Sequence, residues 1–223
     1  MRQRFTDRLR ARVDGIWEAQ HQHPFVRGIA DGTLDLDRFR FWVRQDYLFL
    51  IDYSRVFALG AARAPDLATM TTFAELLLAT VKTEMELHRA YAAEFGVGLD
   101  ELESETKAPT TQGYTDFLLR VALHGEFREL AAALLPCMWG FSEIGQRLAE
   151  GPRPKDPRYA KWIDMYASPE FARLAEWCRD LVDRLAEGMP EPTLRRMEEA
   201  FVLSSRYELQ FWEMAWTIER WPA

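Results

Sequence analysis

Residues 35–64 read DLDRFRFWVRQDYLFLIDYSRVFALGAARA, and the reading of this stretch decides the fold class. Its apolar side chains recur every three to four residues, with no two-residue alternation, so it is expected to be one long helix. Around WVRQDYLFLIDYS the apolar character extends almost all round, which suits a helix running through a bundle. Pro65-Asp66 ends it, and a second long helix is expected over 66–95, stopping at Gly96. On the other side, Pro24 is placed to open a short helix ending near Gly32, after a first amphipathic helix over 2–20. Beyond an acidic connector at about 98–109, helices are expected at 111–124, 126–150, 157–166 and 169–187. A last helix opens at Pro190 and Pro192 and runs to about 219. GPRPKDP (151–157) is a loop. With no repeat and no strand pair, the chain reads as an all-α, single-domain helical bundle around a central pocket.

Composition narrows the function. The 223 residues carry a net charge of −7, so a general nucleic-acid role is not expected, because phosphate binding needs a positive footprint. No apolar run reaches the ~18 residues of a membrane span, and the basic N-terminus is followed by no apolar block. A cytoplasmic protein is therefore expected, with Cys137 and Cys178 as free thiols.

Several residues carry potential chemistry. Cys137 follows Pro136 within AALLPCMWGFSEIG. A proline inside a helix deletes one hydrogen bond and bends the chain, so Cys137 is either a nucleophile presented at a kink or a small buried apolar residue. Asp46 shares a helical face with Phe49 and Tyr53, and a buried acid there needs a partner. A salt bridge through Arg55 or Arg63 is one way to meet that need. Asp52 falls off the stripe and suits a nearby arginine. Glu208 lies in SSRYELQFWEMAW, in one stripe with Ser204, Phe211 and Ala215, as either an acid/base group or an inter-helix ion pair. Glu84 and His88 are four apart and are expected to face one way, which invites a metal reading. The other histidines (His21, His23 and His124) sit at helix ends, and no repeated Glu-x-x-His motif exists, so no metal is expected.

Taken together these segments resemble the TenA / thiaminase II proteins of the haem-oxygenase-like fold. The matching stretches are HPFVRGIADGTLDLDRFRFWVRQDYLFL (23–50), TEMELHR (83–89), PTTQGYT (109–115), ALLPCMWGFSEIG (133–145), YAKWIDMYASPEF (159–171) and FVLSSRYELQFWEMAW (201–216). The resemblance implies a thiamin-salvage hydrolase whose partner is a small molecule, an aminopyrimidine or thiamin. It further implies no cofactor, no nucleic acid, no membrane and a homotetrameric assembly. Carried over residue by residue, Cys137 matches the nucleophile and Glu208 the acid/base group. Asp46 matches the acid on the aminopyrimidine edge, Tyr114 and Tyr166 match active-site tyrosines, and Phe211 matches the aromatic on the pyrimidine. Phe49 and Phe141 stand where well-known members carry tyrosine, which removes two hydroxyls. Two other readings compete: an oxidase of the same superfold, which needs further ligands, and a regulatory protein, which needs a DNA-reading element.

Overall fold

The structure is a computed structural model describing residues 4–222, and among these every regular element is helical. Near the start lie α1 (Phe5–Arg12), α2 (Asp14–Gln22) and α3 (Pro24–Asp31). They lead to the long α4 (Leu36–Arg63), then α5 (Leu67–Ala79), a π-helical turn (Thr80–Glu84) and α6 (Met85–Glu94). A short α7 (Leu99–Ser104) precedes α8 (Pro109–His124) and α9 (Phe127–Ala149). The chain closes with α10 (Pro157–Tyr166), α11 (Pro169–Ala186) and α12 (Glu191–Thr217). Two compact units emerge. One comprises the described chain up to Thr33 with Arg128–Trp212; the other comprises Leu34–Phe127 with the described chain from Glu213.

Local chemistry sets most helix ends. Asp35 caps α4 by accepting from the Asp37 and Arg38 amides, and Asp66 caps α5 from the Thr69 amide. Asp156 and Ser168 do the same for α10 and α11. Proline occupies the first turn of α3, α8, α10 and α11, where its missing N–H costs nothing.

Three expectations need correction. The first helix does not run unbroken to residue 20: Val13 leaves helical geometry (φ −116°, ψ 15°) and divides α1 from α2. Its expected start at residue 2 lies outside the described residues. The acidic connector holds a turn and a half of helix, α7, anchored by buried Leu102; apolar periodicity over six residues, half of them acidic, is too brief to announce it.

The third correction concerns 66–95, which is not one regular α-helix. Buried positions run Thr69, Phe73, Leu76, Thr80, in steps of three and four. The next is Met85, a step of five, followed by His88 and Ala92. One extra residue must be absorbed where the stripe would otherwise rotate away from the core, and the π turn absorbs it. The surplus residue lies before Glu84, so Glu84 and His88 keep ordinary helical spacing, and the His88 ring bonds the Glu84 main-chain oxygen.

In the second unit α4 packs against α5, α6 and α8. A Cβ at Gly60 would lie 2.3 Å from the Phe73 ring, so the α4–α5 approach depends on that glycine.

Deleting exposed Lys82 turns the π segment into ordinary α-helix while leaving Met85, His88 and Ala92 in register. The melting temperature should stay within about 4 °C of the parent, the shift expected from roughly 1 kcal/mol in a chain of this size. A fall beyond about 10 °C would mean that the extra residue is itself a packing requirement.

Candidate functional site

The first unit holds Cys137, Phe141, Tyr166, Glu208 and Phe211. Arg196 near the start of α12 donates to Glu129 near the start of α9 (2.8 Å), and further along Phe141 packs on Trp212 (centroids 5.2 Å). The two helices therefore run side by side in the same direction. Cys137 lies one turn before Phe141, and Glu208 one turn before Trp212.

Aromatic packing fixes Phe141 between Trp162, Tyr166 and Trp212. Phe141 also meets Tyr166 (4.9 Å), and Tyr166 meets Trp162 (4.6 Å) and Phe171 (5.2 Å). Trp212 donates its indole N–H to Gln20 Oε1 (3.1 Å), and Trp17 donates to Ser205 Oγ (3.1 Å), which ties α12 to α2 at two adjacent turns. Tyr166 is set by Gly145: a Cβ there would lie 2.5 Å from the Tyr166 main-chain carbon, so only glycine lets α9 and the end of α10 come this close.

Glu208 is buried, with 3% of its surface exposed, and Phe211 is buried beside it. Pro136 sits inside α9, and Cys137 directly after it is partly exposed. Cys178 on α11 is fully buried, and desolvation pushes its thiol up to about 12, so it stays protonated and inert. The two cysteines are not bonded to each other.

The second unit holds Asp46, Phe49 and Tyr114. Phe49 stacks on Tyr53 (5.2 Å, 25°) and tilts against Tyr114 (5.0 Å). The Asp46–Phe49–Tyr53 stripe of α4 is thus continued by Tyr114 of α8. The connector into α8 is tied to α4 by Gln45, which donates to the Thr106 carbonyl (3.0 Å) and accepts from the Ala108 amide (2.8 Å). Lys107 pairs with Asp52, and Arg55 pairs with the same carboxylate. The expectation that Asp52 serves a nearby arginine holds.

The partner of Asp46 is neither Arg55 nor Arg63. Arg63 donates to the main-chain carbonyls of Ala122 and Gly125 at the end of α8. Asp46, 4% exposed, instead has Oδ2 at 2.7 Å from Nε2 of fully buried His88, with the ring N–H meeting the oxygen off-axis. Burial opposes a charge on His88, but the Asp46 carboxylate outweighs it, and the imidazole titrates above its ordinary value. Sequence reasoning missed this pair because the π turn hides the register of His88. Among the described residues no group of three His, Cys, Asp or Glu side chains converges as a metal cage.

A family model described as the TENA/THI-4/PQQC family matches residues 10–218. The aminopyrimidine aminohydrolase of Halalkalibacterium halodurans is 45% identical over 218 residues, covering 97% of this chain and 97% of its own. Its Bacillus subtilis namesake is 39% identical, over 98% of this chain and 92% of that protein. A TenA homologue from Pyrococcus horikoshii superposes with TM-score 0.89 at 30% identity, covering 96% of this chain and 99% of that one. A Shewanella denitrificans domain with a haem-oxygenase-like fold superposes with TM-score 0.74 at 13% identity, covering 96% of this chain and 92% of that one, which establishes the fold alone.

Two outcomes test this geometry. Native protein should consume one equivalent of a thiol-alkylating reagent at pH 8, on Cys137, and a second only after unfolding; labelling of Cys178 in the native state would contradict its burial. Gly145→Ala should destabilise by about 1–3 kcal/mol, read as a lowered denaturation midpoint, because the new methyl meets main chain that cannot rotate aside.

Proposed function

The chain belongs to the TENA/THI-4/PQQC family, and from that premise we propose that it is an aminopyrimidine aminohydrolase of thiamin salvage. Its substrate in this reading is 4-amino-5-aminomethyl-2-methylpyrimidine, converted with water to the hydroxymethyl pyrimidine and ammonia. Thiamin, cleaved at the same methylene, is a second candidate. The observation that carries the reading is the full-length likeness to relatives named for this activity. It is supported by a partly exposed thiol on α9 and a buried carboxyl on α12.

The chemistry assigns each group a role. Cys137 Sγ adds as thiolate to the ring carbon beside the aminomethyl substituent and breaks aromaticity. The ring electrons then expel the amine, which leaves as ammonia after taking a proton from Glu208. Water adds to the exposed methylene and gives its proton back to Glu208. Expulsion of the thiolate restores the aromatic ring, so atoms and protons balance. A carboxyl that gives and then takes a proton works best when sheltered from water, and Glu208 is buried. Asp46 accepts N–H hydrogen bonds from the aminopyrimidine and makes the ring more electrophilic. Tyr114 and Tyr166 supply hydroxyls, and Phe211 packs on the ring. Phe49 and Phe141 supply surface without hydroxyls, so discrimination between substrates rests more on shape here than in members with tyrosine at those positions.

The reading includes a cytoplasmic homotetramer that needs no cofactor. No described helix is long and apolar enough to cross a membrane. Leu67, Met70 and Leu78 leave an exposed apolar stripe on α5 that suits contact with another copy.

An ammonia-release assay across the aminomethylpyrimidine, its formylated precursor and thiamin tests the proposal, with the aminomethylpyrimidine expected to be turned over. Cys137→Ala should bring the rate below detection with the fold intact. Glu208→Gln should lower it by about 10²–10⁴-fold. Full activity in the first variant rules out covalent catalysis, and a near-parental rate in the second removes Glu208 from proton transfer.

A further inference from the structure

We propose that His88 is a positioning residue for substrate recognition: it grips Asp46 through Oδ2 from inside the protein and presents Oδ1 as a fixed acceptor for the aminopyrimidine. The inference rests on the hydrolase reading and deepens it by naming what holds its recognition acid in place.

Geometry carries the argument. Oδ2 of Asp46 lies 2.7 Å from His88 Nε2, and His88 Nδ1 lies 2.9 Å from the Glu84 carbonyl oxygen. Beside an ionised Asp46, both ring nitrogens face oxygens that only accept. A neutral imidazole has one N–H, so one of these contacts would set a lone pair against an oxygen. The ring carries both protons, and the pair is carboxylate and imidazolium. Trp42 walls the imidazole at 5.2 Å, and Tyr91 meets it edge-on at 6.4 Å, so the ring has no room to turn. Oδ1 has no hydrogen-bond partner among the described residues.

Two features argue against a purely structural pair. A buried ion pair contributes little net stability, and an apolar pair of the same size would fill the space at least as well. The ring also sits directly after the one irregular turn of its helix, whose extra residue brings position 88 rather than 87 to face α4. Such π turns concentrate at functional positions.

The test uses the full-length protein and 4-amino-5-aminomethyl-2-methylpyrimidine, with calorimetric Kd and steady-state kinetics measured for His88→Leu, His88→Gln and His88→Asn. His88→Leu should raise Kd and KM by about 10–100-fold, the worth of a well-placed hydrogen bond to a charged group, while kcat stays within about fivefold. His88→Gln, whose amide reaches as far as Nε2, should recover affinity to within about fivefold of the parent. His88→Asn, too short to touch Asp46, should not. Should the leucine variant fail to fold, the Gln–Asn contrast decides alone. Parental Kd in both overturns the inference, as does a loss confined to melting temperature. A parent protein that neither binds nor turns over the aminopyrimidine instead overturns the hydrolase reading, and this inference with it.

Discussion

A carboxylate in the apolar middle of a 28-residue helix must be paired, and the unit built on α4 is organised around that demand at Asp46. An unpartnered charge in that position would cost several kcal/mol or simply take up a proton. His88 meets the demand from α6, held by its own bond to the Glu84 carbonyl. Because α6 is continuous in sequence with α5, the ring reaches Asp46 only if one surplus residue is taken up between them, and the π turn takes it up. A charge requirement on one helix is thereby coupled to a backbone irregularity on another.

The same helix also fixes the position of α8. Gln45, one residue before Asp46, satisfies an amide and a carbonyl of the connector into α8, and Asp52 two turns on takes Lys107 from that connector. Arg63 closes the far end of α8 by taking its last carbonyls. Tyr114 reaches Phe49 because α8 is pinned to α4 at both ends. These polar anchors are specific where apolar contact is not: an aliphatic surface tolerates sliding, whereas an amide bonded to one glutamine does not.

In the other unit, two cysteines sit in different environments. Cys178 is enclosed on α11 and its thiol cannot ionise at ordinary pH. Cys137 follows a proline inside α9 and keeps part of its surface open. Glu208 is buried on α12, and Trp212, one turn on, is held by its ring contact with Phe141 and its bond to Gln20. Each ring contact is a weak term, and Phe141 is fixed because Trp162, Tyr166 and Trp212 all pack on it at once.

Helix content and most helix ends were legible in the residues themselves, because caps, prolines and the apolar period are local properties of a chain. The Asp46–Phe49–Tyr53 stripe and a nearby arginine for Asp52 were legible for the same reason: residues three and four apart on a helix are neighbours whatever the fold. The break at Val13 was not, because its residue type is compatible with helix and only the packing of α1 and α2 selects the non-helical dihedrals. Nor was α7, whose single buried leucine has meaning only against α4. The partner of Asp46 was hidden most completely. Spacing along the helix related His88 only to neighbours such as Glu84, and the π turn before them sets which way α6 faces. The amino-acid sequence by itself thus determined which groups are present and which local faces they share. Tertiary structure alone decided which distant groups pair, since a one-residue change of register rotates a side chain by about 100° and no local rule records which packing will absorb it.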